Sequence, residues 1–523
     1  MRRFLGVILS VILLAGCGCN KKITYQSGMF TDVRDWDFYE SAVALCVNEG
    51  YMTFEGNAFR VDEPVSLSEC ADIIVKITGA DIDNSIEYVI ENNIAPKDFG
   101  EWDAPAARCD VAYMIARVVK GGDINEVIEG AVSDIKGVYS ESEIYSLYRK
   151  GIFSGDKTSN TFRPFESMTR AEMAIVVQRC CDASKRVSFD MGTLSVSFVA
   201  FGDTIGHSPV LRAAQTNDGY DFTQNFENVK KYIEEADVAC VNQETVFVEN
   251  NFSGYPSFGS PEEFGVAEAL AGFDVVTHAT NHAFDRGTGG IMYTTAFWEN
   301  YPEIEMLGIH QSEQDADEIS VIEKNGLKIA LLNYTYSLNG YQLPKGGEYM
   351  VDLLDEEKII SDMAKAKGMS DAIVVFAHWG NEYQNTPAQS QRNWAQLFAD
   401  NGATVIVGAH PHVVQPLETV TASDGRVVPV YYSLGNFISN QNDYQNALCA
   451  MADFDIIKDK NGVRCANYVI EPVVTHMQPD YYSAYLLEDY PEEMAKKHKH
   501  RIRFGTRFTK EEYVEVFNNI VNK

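Results

Sequence analysis

Apolar and polar positions follow three different patterns along the chain. Residues 4–14 form a nearly continuous apolar block behind Arg2 and Arg3, too short to span a bilayer comfortably. Between residues 29 and 185 the pattern repeats, each unit reading as a helix, a Gly turn, a loop and a second helix. From residue 194 it changes to short β-rich runs alternating with helical stretches, which predicts an α/β domain over residues 194–480. Two strand-like pieces, 450–457 and 465–474, fall inside that domain, and residues 481–523 read as a helical tail.

The chain has 523 residues, too many for one core, because single domains stop growing at roughly 250–300 residues. Acidic residues number 75 against 43 basic ones, a net charge of −32, so the surface repels nucleic acid, which is excluded as a partner. One basic cluster, residues 496–503, interrupts this and reads as a solvated helix face, with contact to an anionic polymer or lipid head groups as the weaker alternative. The cysteines are scattered with no CxxC pair, so most are expected to be buried free thiols.

Arg2 and Arg3, the apolar block and the small residues behind it have the parts of a secretory signal. Leu14-Ala15-Gly16-Cys17 resembles the bacterial lipobox, which implies a signal peptide over 1–16, lipidation of Cys17, a linker over 17–28 and attachment to the membrane from outside.

Within the repeats, a Phe-Arg pair precedes a helix-start glutamate by the same interval twice, Phe59 to Glu69 and Phe162 to Glu172. A middle copy keeps Ala107-Arg108-Cys109-Asp110 but has lost the loop pattern. Gly151-Ile152, Phe162-Arg163-Pro164 and Met168-Thr169-Arg170-Ala171-Glu172 resemble the S-layer homology family. That resemblance implies a triplet binding secondary cell-wall polysaccharide. Arg170 and, in the second copy, Arg108 would offer a planar donor fork to a ketal carboxylate on the glycan. Leu67 stands in that place in the first copy, and Arg170 as a structural or capping residue is the competing reading.

In the second module six apolar runs end in residues able to bind metal or move a proton. They end at Asp203; at Asn242-Gln243-Glu244; at Asn281-His282 with Asp285; at His378; at His410-Pro411-His412; and at Asn436. In α/β sheets, ligands bind where such strand ends converge. The donor set lacks thiolates and suits one or two divalent ions such as zinc, manganese or iron, with Glu244 or Asp203 bridging. His410 and His412 would lie on one face of an extended segment. Asp285 would hold His282 as a general acid. His207, four residues after Asp203, is a candidate further ligand, with no role as the competing reading. His278 and His310 read as core or surface residues, and His476, His498 and His500 as having no role.

These endings, in this order, resemble the CapA family, the poly-γ-glutamate capsule synthesis group of the calcineurin-like metallophosphoesterase superfamily. The resemblance spans about residues 194–440 and also rests on His378-Trp379-Gly380-Asn381-Glu382-Tyr383 and Tyr432-Ser433-Leu434-Gly435-Asn436-Phe437. It implies a four-layer α/β/β/α sandwich with metal ligands Asp203, Glu244, Asn281, His378, His410 and His412, and His282 as general acid. Asn242, Glu382 and Asn436 are assigned to substrate binding. Thr280, Ala409 and Gln243 depart from the family's usual residues without removing a ligand, and the Asp-x-His opening of ordinary phosphoesterases is absent. The expected function is metal-dependent hydrolysis of an amide or phosphoester in a capsular or wall polymer by a lipid-anchored, wall-associated protein. The rivals are a polymer-binding scaffold without turnover and a wall-binding module carrying an inert spacer.

Overall fold

The computed structural model describes residues 23–155, 161–500 and 509–521. The expected signal peptide and Cys17 lie outside the described residues, as do positions 501–503 of the basic cluster. The chain divides into two compact units after Gly192. Among the described residues no helix is long and apolar enough to cross a membrane.

The first unit is built from three helix pairs: α1 (Glu40–Glu49) and α2 (Leu67–Thr78), α3 (Ser85–Glu91) and α4 (Arg108–Val118), α5 (Glu141–Arg149) and α6 (Arg170–Cys181). Polar caps set the starts of α2 and α6, where Ser66 and Thr169 accept from the amides of Glu69 and Glu172. The pairs close on one another in a ring. The first two amides of α6 donate to Glu63 and Val61 of the first copy, those of α2 to Ala104 and Trp102 of the second, and those of α4 to Glu166 and Pro164 of the third. Each helix start, which has amides to satisfy, thus uses carbonyls of another copy's loop.

Arg170 and Arg108 repeat this ring in side chains. Arg170 is 1% exposed, donates from Nε to Phe59 O at 2.8 Å and from Nη2 to Thr53 O, and pairs with Glu69. Arg108 donates from Nε to Phe162 O at 2.8 Å and pairs with Glu172 at 2.8 Å. The forks expected to face a wall glycan are therefore spent inside the ring, because the carbonyls and glutamates of the neighbouring loop claim their donors.

The second unit holds two sheets. Its strands are β1 (Leu194–Thr204), β2 (Val238–Gln243), β3 (Val275–Thr277), β4 (Glu305–Leu307), β5 (Ser320–Lys324), β6 (Leu327–Thr335), β7 (Ala372–His378), β8 (Val405–Ala409), β9 (Val414–Thr421), β10 (Val427–Leu434), β11 (Asn436–Ile438), β12 (Leu448–Asp459), β13 (Gly462–Gln478) and β14 (Tyr481–Leu486). One sheet runs β14-β13-β12-β1-β2-β3-β4 with β11 also paired to β1; the other runs β5-β6-β7-β8-β10-β9. The centres of both are parallel: β1-β2-β3-β4 in one, β6-β7-β8-β10 in the other.

Side chains from both sheets, among them Phe201, Val241, Val374, Val407 and Tyr431, share one core. Helices Glu356–Met369 and Gln389–Asp400 cover the outer face of the second sheet through Ile359, Met363 and Phe398. Helices Lys230–Glu235 and Glu263–Ala271 add Ile233, Phe264 and Ala267 beside the first sheet. This is the four-layer α/β/β/α sandwich expected from the resemblance. β2 and β7 are buried along their whole length, as strands covered on both faces must be.

The expected helical tail needs correction. Residues 481–486 are β14, paired antiparallel with β13, and their aromatic-rich Tyr-Tyr-Ser-Ala-Tyr-Leu sequence favours a strand. The described part of the basic cluster is a solvated face only in part: Lys496 and Lys497 are exposed, but His498 and His500 are buried. His498 Nε2 lies 3.0 Å from Thr475 O, His500 Nε2 3.2 Å from Gln441 O, and Lys499 donates to Asn440 Oδ1 at 2.8 Å. Helix Lys510–Val521 adds Tyr513, Phe517 and Ile520 to the core.

Candidate metal centre

The carboxyl ends of the parallel strands of both sheets converge on one buried cluster. Asp203 arrives there because Gly202 lets β1 run against the turn before β11: a Cβ at Gly202 would fall 1.9 Å from Gly435 O. The Asp203 amide donates to that same carbonyl at 2.9 Å. Glu244 follows β2, and Thr280 Oγ1 holds its carbonyl at 2.7 Å. His378 ends β7, and His410 and His412 follow β8.

The His-Pro-His segment is not extended, contrary to the sequence reading. His410 and His412 adopt φ of 96° and 59°, the left-handed region that non-glycine residues rarely occupy. The two turns about Pro411, and not strand alternation, bring the rings to 5.7 Å between centroids. Such backbone is held only where its surroundings fix it. Here the His410 amide lies 3.3 Å from both Asp203 oxygens, and Asn446 Nδ2 donates to His412 O at 2.8 Å.

Two groups of ligand atoms result, Asp203 with Glu244 and His378, and Glu382 with His410 and His412, each within 4.8 Å. Glu244 stands between them. Its Oε1 is 3.9 Å from His412 Nε2, 4.0 Å from His378 Nε2 and 3.8 Å from His282 Nε2. Both Glu244 oxygens and His410 Nδ1 are buried without a hydrogen-bond partner. Atoms bound to one ion at about 2.0–2.2 Å stand no more than about 4.4 Å apart, and these three Glu244 Oε1 distances fall inside that limit, so the unpartnered carboxylate fits a divalent cation. Burial and the neighbouring Asp203, Glu382 and Asp285 carboxylates push the Glu244 carboxyl well above its usual range, outweighing the opposing pull of His412. Burial works to lower His412, but Glu244 and Asp203 overcome it and raise it to about 9. Burial and the neighbouring imidazoles push His378 and His410 well below the ordinary histidine value.

The remaining expected residues are placed as follows. Asn281 Oδ1 lies 2.8 Å from His378 Nε2, at the rim of the first group. His282 Nδ1 is 2.7 Å from Asp285 Oδ2, which also accepts the Phe258 amide at 2.7 Å. Asn242 donates to Asp203 Oδ1 at 2.8 Å and touches His378 Nδ1 at 3.4 Å, while its own oxygen accepts from Thr277. Its side chain is thus taken up by Asp203, His378 and Thr277, where a substrate contact was expected. Asn436 likewise spends its amide on Gln441 and Asn446 in the loop after β11. Glu382 is exposed but falls in a ligand group rather than apart from it. His207 is outside both groups, its Nδ1 accepting the Asn440 amide at 3.3 Å. His278 is a core residue accepting from Trp298, and His310 pairs with Asp352.

Sequence reasoning missed Asn339, which accepts from Asn281 at 3.2 Å and lies 3.3 Å from His282 Nδ1. The signal was there: β6 is a seventh apolar run ending in polar residues, followed by Asn339-Gly340. Asn446 was also missed, because only the loop's fold carries it back to His412.

Residues 197–441 match the family Bacterial capsule synthesis protein PGA_cap, and residues 133–174 match the S-layer homology domain. The first match falls within the second unit and the other on the third helix pair of the first unit. It is 34% identical over 206 residues to PGA biosynthesis protein CapA of Bacillus subtilis (strain 168), covering 39% of this chain and 51% of that protein. It is 28% identical over 226 residues to Capsule biosynthesis protein CapA of Bacillus anthracis, covering 41% and 54%. The chain thus spans about half the length of these curated relatives. Among solved structures, a novel phosphatase of Mycoplasma pneumoniae is similar at 15% identity and a TM-score of 0.36, over 54% of this chain and 94% of that one. A 5'-nucleotidase precursor of Thermus thermophilus is similar at 14% and 0.36, over 62% and 58%.

Proposed function

We propose that the second unit is a metal-dependent hydrolase-type domain that acts on a capsular or cell-wall polymer during its synthesis or processing. The protein would be lipid-anchored through Cys17 and associated with the wall through its repeats. The buried, unpartnered Glu244 carboxylate facing three imidazoles carries this reading, since a cation is the partner such a group needs. The likeness of residues 197–441 to the capsule synthesis family supports the polymer.

Asp203, Glu244 and His378 would hold one ion, with Asn281 beside them, and Glu382, His410 and His412 a second. Bound ions of the zinc, manganese or iron class polarise an attacked carbonyl or phosphoryl oxygen. Asn242 keeps Asp203 and His378 in register. Asp285 Oδ2, 2.7 Å from Nδ1, fixes the orientation of the His282 imidazole, leaving Nε2 on the Glu244 side to pass a proton to the leaving group.

The test is polymer length after incubation of metal-loaded protein with poly-γ-glutamate and with purified wall polymer. Shortening of either that is lost in His282→Ala supports hydrolysis. Binding without shortening favours a non-catalytic anchoring scaffold.

A further inference from the structure

Exposed aromatic rings are distributed unevenly over the second unit. Among its described residues six are exposed, Phe252, Tyr255, Tyr336, Tyr341, Tyr383 and Tyr444. Every one lies on a loop leaving the carboxyl end of a strand: after β2, β6, β7 or β11. Those are loops that also supply or adjoin the candidate metal ligands. Scattered exposed apolar residues are normal, but a set confined to one site marks a binding surface.

Three of the rings are tied to the site directly. The Tyr336 ring lies tilted 4.5 Å from that of His410, and Tyr383 lies 6.0 Å from His412. Tyr255 lies 6.4 Å from Phe258, which is 4.7 Å from His282. Tyr383 is held at φ 62°, with its amide donating to Pro411 O at 2.8 Å. Left-handed backbone at a bulky residue is a strained arrangement, and here it fixes an exposed ring at the mouth of the cluster.

The charge of these loops narrows what the rings receive. Residues 245–262, 278–287, 336–348, 379–388 and 435–447 contain six carboxylates, of which Asp285 is taken by His282 and Glu382 falls in a ligand group, and two cations, Arg286 and Lys345. Arg286 is spent on the carbonyls of Phe258 and Asn251 and on Ser253. Polar reach comes instead from exposed amides such as Gln342, Asn381 and Gln384. A polyanion running away from the reacting bond would meet carboxylates with little cationic relief. Flat aromatic faces with amides between them suit rings that are apolar on their faces and hydroxylated at their edges.

We infer that the candidate metal centre is entered through an aromatic rim that stacks on sugar rings, so the polymer it takes is a neutral or N-acetylated glycan rather than a polyglutamate chain. This rests on the reading of the same site as a polymer-processing centre.

The test is titration of the full chain with the N-acetylglucosamine tetramer and, separately, with a poly-γ-glutamate oligomer at physiological salt. Metal content is measured on the same samples. Tetramer affinity should fall about threefold to tenfold in each of Tyr255→Ala and Tyr383→Ala, while Tyr383→Phe retains it and metal content is unchanged. No tetramer binding, or tetramer binding equal in both alanine variants, overturns the inference, the latter because the sugar would then sit elsewhere, including on the repeats. Polyglutamate binding tighter than tetramer and weakened in those variants overturns it as well. Ring-dependent tetramer binding by a chain that holds no metal would keep the rim and sink the hydrolase reading alone.

Discussion

Glu244 Oε1 stands 3.9 Å from His412 Nε2, and neither oxygen of that buried carboxylate accepts a hydrogen bond. An isolated buried charge costs several kcal/mol unless it is paired, hydrogen-bonded or neutralised by a proton. The metal-free molecule solves this by raising the Glu244 carboxyl through burial, and a bound cation would remove the need for the proton.

Glu244→Gln should therefore separate stability from metal binding. Without metal the variant should melt at or above the wild-type temperature, because a neutral amide replaces a group whose charge the site disfavours. With metal at a hundred times its dissociation constant, the wild type should gain about 2.7 kcal/mol and the variant far less. Calorimetry of both proteins, with and without metal, gives the comparison.

Arg170 predicts the opposite behaviour in the repeats. Removing one partner of a buried ion pair costs about 3–5 kcal/mol, so Arg170→Ala should unfold the first unit at much lower denaturant. Arg170→Lys should recover only part of this, since a single ammonium cannot serve Phe59 O, Thr53 O and Glu69 with the geometry of a planar fork.

Asn446 should matter to a ligand it does not resemble. Its amide holds His412 O, and the loop carrying it is anchored from the far end of the chain, by Lys499 on Asn440 and Tyr513 on Tyr444 O. Asn446→Ala should weaken metal binding by roughly tenfold, within the range found for groups that orient ligands. Lys499→Met should weaken it less, and circular dichroism should be unchanged in both.

Burial also sets an acid limit. It is the first cause lowering His207 and His278 to about 3 and His476 to about 4. Each stays neutral in the fold while the unfolded chain takes a proton below about 6.5. Their contribution is thus present above pH 6.5 and lost as pH falls from there toward 3–4, by up to about 1.4 kcal/mol per pH unit and histidine. His278→Gln should flatten the fall of stability across that window in denaturant titrations of metal-free protein.

The strand ends were legible because burial leaves a simple mark: an apolar run stops where the chain reaches the site, and Asp203, Glu244, His378 and Asn436 each sit at such a stop. Side-chain direction was not legible. His410 and His412 converge through left-handed turns that no alternation encodes, and Asn242 and Asn436 turn their amide groups to neighbouring residues. Arg170 carries the pattern of a surface motif, yet its partners come from a copy more than a hundred residues earlier. The tail was misread for a related reason. Lys499 and His500 look solvated until the loop at Asn440 and Gln441, sixty residues away, is folded against them.

Metal content decides the central claim most directly. Elemental mass spectrometry should be run on the protein from residue 20 to 523 beside its His410→Ala/His412→Ala variant, both reconstituted and desalted. One or two equivalents of a transition metal in the first, with loss in the second, is the predicted result. A wild-type chain that retains no metal after reconstitution would contradict it.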